Sequence, residues 1–498
     1  MDPHQQVSTP DKITNPIAVE AVPVEKSKPR WFQWHEPGTS REEKKLIAKL
    51  DWFLLSYSCL CFFMKQLDAN NVSNAYVSGM KEELHFGKGN ELSWMNTYFN
   101  IGQILGGPIA NMIITVIRPR YWLPSCLLVW SIFVLFLFKC ETASEFYALR
   151  FCIGLFESAA SPGIHYVLGC WYRKSELGRR SALFVISGVL GQMFSGYLQS
   201  ALYSGMEGKG GLSAWRWLFI FDFVLAVPIA IYGIFCFPDT PHTSKAWYLS
   251  AWERQRAIER IEEEGRKPIG KMDLTVLKRI LTSWCCWSLT AGSYIMQFFG
   301  LWLKSQHYSV TNINNIPTII GAVNFFFMIS TGYASDIIGS RAPVTAVVGS
   351  LLTFCYIVLT VWTVPNALKM AAFCLAGCYG CFSPLLYGWV NSSCGGDQHL
   401  RAFILAWMTS LGLAVVSPFQ LYLFPSSQAP AYKAKHGYAA ALVFVALLTV
   451  WSSLGIWFVE RVVAKRARAA PSGVEDSDPS ASNYLGGEAI TVVQQGMK

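Results

Sequence analysis

The sequence predicts an all-α membrane protein: twelve transmembrane helices in two six-helix halves. Of its 498 residues 52% are hydrophobic and only 15% charged, where an ordinary soluble domain carries about 25% charged residues. Apolar runs such as 123–138, 214–237 and 439–459 recur along the chain, and roughly 20 apolar residues cross a hydrocarbon core. The remaining charges crowd into the first fifty residues, a stretch near 245–280 and the tail after Glu460.

Residues 1–49 are expected to form a cytoplasmic tail, its first 39 disordered. No apolar core precedes the first span, so no cleavable signal peptide is expected. Ser40 and Glu43 have the spacing of a capping box, opening a short surface helix that runs into span 1. The first half, 50–237, holds spans at 50–78, 92–116, 121–140, 144–171, 178–204 and 214–237. Pro238 and Pro241 must end the sixth. A cytoplasmic linker, 238–282, follows, with a charged amphipathic helix from Trp252 to Glu264 that reads as solvated. The second half, 283–460, holds spans at 283–304, 315–338, 341–363, 366–391, 399–424 and 437–460. Residues 461–498 form a cytoplasmic tail rich in Ser, Gly and Pro.

The net charge of +9 has a topological explanation. Arg41, Lys44, Lys45, Lys49, Arg118, Arg120, the 173–180 loop, the linker and 461–468 all fall on one side. This positive-inside bias puts both termini in the cytoplasm, and no basic stripe stands on a soluble domain to bind nucleic acid. The fourteen cysteines lie mostly in apolar segments, with no zinc or disulfide spacing. Neither a phosphate-binding loop nor a nucleophile–base arrangement is present, so no enzyme activity, metal or cofactor is expected.

Ionisable residues inside spans are costly and mark function by default. Glu157 lies in the middle of span 4, with Arg150 two turns earlier on the same face. The two could couple transport to protons or simply lock the spans. Span 1 supplies Lys65, Asp68, Asn71 and Asn74, too polar a run to face lipid. Span 2 carries Asn96, Asn100 and Gln103 as one stripe, suited equally to a pathway wall or to interhelical glue. Ser187, Gly191 and Ser195 read as a packing seam in span 5, and Arg216 and Asp222 as an ion pair anchoring span 6. Tyr379, Tyr387, Trp389 and Asn391 in span 10 could clasp a small solute. His165 and Asn324 are lone polar residues that usually bond a neighbour.

Six spans, a linker and six more spans resemble the layout of major facilitator transporters, whose substrates bind between the halves. Gly332, Asp336, Gly339 and Arg341 match that family's loop signature, and Asp336 and Arg341 are expected to form a conformational latch. The copy after span 2 has Asn111 in place of the acid. More narrowly, residues 30–468 resemble the fungal allantoate-permease branch of anion:cation symporters, and within it the pantothenate transporters. The motifs are Glu42–Asp51, Asp68-x-x-Asn71-x-x-Asn74, Arg150-x-x-x-Gly154-x-x-Glu157 with Pro162 and Gly163, Trp215–Phe219, and Asp397-x-x-x-Arg401. The resemblance implies a monomer in the plasma membrane that takes up a small organic anion with protons, driven by the proton gradient, with Glu157 as coupling site. Members often carry a basic residue where this chain has Ala69, and Lys65 could supply that charge. Export of an acidic metabolite and nutrient sensing without flux are the alternative expectations.

Overall fold

The computed structural model describes residue 35 and, with short breaks, residues 38–263, 299–386 and 410–469. Every regular element among them is helical. Most of the expected disordered segment 1–39, the linker after Glu263, the start of span 7, Asp397, Arg401 and the C-terminal tail after Ala469 lie outside the described residues.

Helix α1, Arg41–Glu83, is 43 residues long, because the expected surface helix and span 1 are continuous. Ser40 caps it, its Oγ accepting from the Glu43 amide at 3.2 Å. The Glu43 carboxylate turns to the Arg260 guanidinium at 2.5 Å. Two wide turns interrupt the helix, at Asp51–Leu55 and Tyr76–Met80. Gly79, at φ +115°, supplies the left-handed residue that ends the span.

Next come α2 (Glu91–Val116), α3 (Pro119–Lys139), α4 (Ala143–Glu157), α5 (Ala160–Trp171), α6 (Lys174–Met206) and α7 (Ala214–Cys236). The expected single helix of span 4 is therefore two, broken directly after Glu157. The cause is Pro162, which offers no N–H to the carbonyl of Ser158, and its ring crowds that carbonyl. The Ser158 hydroxyl bonds back to the Leu155 carbonyl at 2.7 Å instead of bridging the gap. Upstream of the break, α4 lies backbone to backbone on α2. A Cβ on Gly154 would stand 2.2 Å from the Phe99 carbonyl oxygen, and one on Gly102 2.2 Å from that of Phe151. Such small-residue contacts let membrane helices approach closely, and this one draws α2 side chains up to Glu157.

The linker helix is α8 (Ala251–Glu262), and the second half is described as α9 (Phe299–Ser305), α10 (Val310–Asn315), α11 (Thr318–Ile338), α12 (Ala342–Val361), α13 (Asn366–Leu375) and α14 (Gly437–Ala469). Among the described residues, seven helices are long and apolar enough to cross a membrane. The halves meet along two seams. Span 2 runs antiparallel to span 11: Ser93 donates to the Phe424 carbonyl and Asn100 to the Ser417 hydroxyl at 2.9 Å, with Gly107 against Ser410. Each contact is seven residues from the last on both helices, the step that keeps one stripe facing its partner. On the other seam, Gly196 of α6 meets the Asn314 carbonyl, and Tyr197 shares a hydrogen bond with Thr318 at 3.1 Å.

The linker helix is not solvated, contrary to its charge pattern. Arg260, 1% exposed, is clamped between Glu43 of α1 and Glu176 of α6, at 2.5 Å each. Lys49 pairs with Glu253 at 2.8 Å, and Arg173 and Arg256 pair with Glu263. Burial pushes the Glu253 carboxyl up, but Lys49 and the Ser250 cap outweigh it and hold it below its ordinary range. Its contribution is therefore full above the unfolded carboxylate value and is lost as pH falls through the depressed folded one.

Removing one partner of a buried ion pair costs about 3–5 kcal/mol. Arg260→Ala is thus expected to lower the melting temperature of the purified protein clearly more than Lys49→Ala, whose cation is 41% exposed. Equal melting of Arg260→Ala and wild type would show that the clamp holds nothing.

Candidate functional site

All six spans of the first half send polar side chains to one buried cluster. Five of these are ionisable: Lys65 and Asp68 of α1, Arg150 and Glu157 of α4, and Asp222 of α7. Asp68, Arg150, Glu157 and Asp222 are each at most 3% exposed.

Glu157 is the centre of one part. Its Oε1 accepts from the Gln103 amide at 3.1 Å and lies 3.8 Å from the Lys65 ammonium. The Lys65 side chain keeps 13% of its surface accessible, the most of the five. Arg150 was expected to pair with Glu157. Among the described residues it forms no ion pair; its guanidinium stacks 4.0 Å over the Phe99 ring, a cation–π contact. The close approach of α2 and α4 puts Phe99 there. Arg150 still lies within electrostatic range of Glu157 and Asp68. Two turns separate it from Glu157, and Lys65 fills the nearer position.

The second part joins Asp68, Asn71 and Asn74 to spans 3, 5 and 6. The Trp130 indole donates to Asp68 Oδ2 at 2.8 Å. Asn71 donates to Asp222 Oδ2 at 2.6 Å and accepts from Ser195 at 2.6 Å; Asn74 donates to Ser195 at 2.7 Å. Ser195 is thus more than a packing position. Asp222 has no part in an ion pair with Arg216, which reaches Glu83 at 3.0 Å nearer the helix end. Trp130 was passed over in an apolar run, although a buried indole N–H usually needs an acceptor.

The span 2 stripe is buried throughout. Gln103 meets Glu157, Asn100 crosses to Ser417 of the second half, and Asn96 lies one turn above. Tyr379 is half-buried against the second half's apolar core, in the tight turn Ala376–Cys381. Tyr387, Trp389 and Asn391 lie outside the described residues, as does the side chain of Asp336; Arg341 stands at the start of α12. His165 Nδ1 is 2.9 Å from the Ser161 carbonyl, and Asn324 is buried against Gly380. Among the described residues no group of His, Cys, Asp and Glu could hold a metal ion.

A family model described as Major Facilitator Superfamily matches residues 58–419. The chain belongs to that superfamily. It is 67% identical over 448 residues to "MFS transporter PfmaC" of Pestalotiopsis fici, covering 88% of this chain and 84% of that protein. It is 34% identical to "Pantothenate transporter liz1" of Schizosaccharomyces pombe, covering 74% of each chain. It is 32% identical to "Pantothenate transporter FEN2" of Saccharomyces cerevisiae, covering 79% of this chain and 80% of that one. Among solved structures a D-xylose-proton symporter aligns with a TM-score of 0.60 at 14% identity, over 81% of this chain and 97% of that one. At that identity the likeness shows the fold. This major facilitator protein is therefore a membrane transporter and not an enzyme.

Within the cluster, Lys65 and Glu157 compensate each other, and removing either alone strands a buried charge. Lys65→Met and Glu157→Gln are each expected to lower the melting temperature. The double variant should melt well above the sum of the two losses, with a coupling on the order of 0.5–3 kcal/mol. Strictly additive losses in that cycle would mean the two groups do not interact.

Proposed function

We propose that this protein carries a small organic anion together with a proton, inward across the plasma membrane, pantothenate or a related carboxylate being the substrate. The observation that carries the reading is the Lys65–Glu157 pair: a partly accessible lysine side chain whose ammonium lies 3.8 Å from a fully buried carboxylate. Beyond hydrogen-bonding range of Glu157, Lys65 retains donors for a substrate carboxylate. An anion that takes up Lys65 leaves Glu157 as an uncompensated negative charge in a low dielectric. A proton on Glu157 cancels it, so anion and proton enter together. Gln103 holds the carboxyl in place in either state. Asn100, hydrogen-bonded to Ser417 across the halves, stands one turn from Gln103 and is placed to report occupancy to the second half.

Two relatives carry "Pantothenate transporter" in their names, and a third, 28% identical over 88% of this chain, is a "Vitamin H transporter" of Saccharomyces cerevisiae. These names, with the span 1 and span 4 motifs, support placing the chain in the allantoate-permease branch of anion symporters. The basic loops support cytoplasmic termini, with Asp336 and Arg341 as a latch on that side, and nothing in the site requires more than one subunit.

Uptake of labelled pantothenate by yeast lacking its own carrier is expected to be faster at mildly acidic than at neutral pH. Glu157→Gln, present at the cell surface, should abolish the acid stimulation and reduce uptake at least tenfold, about 1.4 kcal/mol or more. Absence of uptake by a well-expressed wild type would reject pantothenate and favour another carboxylate or export. Acid-stimulated uptake that survives in Glu157→Gln would remove Glu157 from coupling.

A further inference from the structure

Asp68 and Asp222 are two carboxyls brought together on neighbouring spans, within hydrogen-bonding reach of one another. Asp68 is 3% and Asp222 1% exposed. Each has one oxygen supplied with a donor: Trp130 serves Asp68 Oδ2 at 2.8 Å, and Asn71 serves Asp222 Oδ2 at 2.6 Å. The other oxygen of each, Oδ1, is sealed from solvent and receives no donor from any described residue. Ionised carboxylates only accept hydrogen bonds, and two of them in contact in a dry interior cannot both stay charged. A buried acceptor left without a donor also carries the full cost of its lost hydration. A single proton removes all three problems, since the protonated carboxyl becomes the donor its neighbour lacks.

We propose that Asp68 and Asp222 hold one proton between them, forming a second proton-binding site in the first half, separate from Lys65 and Glu157. The charge balance supports the count. The charged groups facing the pair are Arg150 and Glu157 of α4, and Lys65 of α1 in turn pairs with Glu157, while α2, α3 and α6 present the neutral Gln103, Trp130 and Ser195. Three carboxylates against two cations leave one negative charge, and one shared proton brings the set to neutrality. The site is resident rather than carried. Its contacts tie α1, α3, α6 and α7 within one half, and no described residue of the second half touches it. Neutrality of the resting cluster is also what allows an anion and a proton to enter as a neutral pair. The proton on the dyad nevertheless stands whether or not pantothenate is the substrate.

Infrared spectra of the purified protein in lipid nanodiscs, exchanged between light and heavy water at neutral pH, read protonated carboxyls directly. A carboxyl carbonyl band is expected in wild type and in Glu157→Gln, lost in both Asp68→Asn and Asp222→Asn, and shifted but retained in Trp130→Phe. A wild type without the band, or a band that disappears only in Glu157→Gln, overturns the proposal. The wild-type and Glu157→Gln spectra decide this even if an Asn variant fails to fold. Uptake measurements are independent: a retained band with no uptake would reject the transport reading and leave the dyad standing.

Discussion

The constraint on which the rest of the first half depends is charge balance in a dry interior. The cluster's five ionisable side chains lie buried among its six spans, and an isolated charge there would cost several kcal/mol even after relaxation. Helix placement follows from that constraint. The Gly154–Phe99 and Gly102–Phe151 contacts bring α2 close enough for Gln103 to reach Glu157 and for Phe99 to lie under Arg150. The break after Glu157 frees the chain to place that carboxylate opposite Lys65 rather than continuing a regular helix. Interhelical hydrogen bonds through Asn71, Ser195 and Trp130 then bind the remaining carboxyls. Packing and electrostatics are one problem here, solved with small residues and amides.

The same logic operates at the linker end with more water nearby. Arg260 satisfies two carboxylates on different spans, Glu43 and Glu176, so the linker helix becomes a brace across the first half. Its buried face still looks like that of a solvated helix because its charges, Glu253, Arg256 and Arg260, are matched by charges on distant segments. A tether between halves would need no such matching. The clamp contacts all lie on the first half, so they tie the linker helix to that half.

The span pattern was legible because hydropathy and length are local properties. Helix α7 ends at Cys236, just before Pro238, and α2 spans nearly the residues expected of it. What the sequence could not show was pairing. Periodicity puts Arg150 and Glu157 on one face, but the partner of each is decided by which helix packs there. Glu157 met Lys65, and Arg150 met an aromatic ring. Asp222 read as half of a local pair with Arg216 because the two are close in sequence, yet Glu83 lies nearer to Arg216 in space. The linker reading failed for a related reason: amphipathic charge patterns identify a polar face and say nothing about what covers it.

The two halves are chemically unequal. Among the described residues the second half buries one charged side chain, Lys369, beneath the Trp362 ring near its helix end. Its buried contacts with the first half are made by hydroxyls, amides and carbonyls, through Ser417, Phe424, Asn314 and Thr318, while the Lys304–Glu82 ion pair at 2.7 Å joins the halves at the exposed surface. Neutral hydrogen bonds of about 0.5–1.5 kcal/mol each can be exchanged during a rocking motion at little cost, whereas a buried ion pair shared between the halves would resist separation. Confining the buried charge cluster to one half therefore keeps buried ion pairs out of the described seams between the halves. On this argument the seams are where the halves can part, and the buried charges of the first half are left undisturbed when they do.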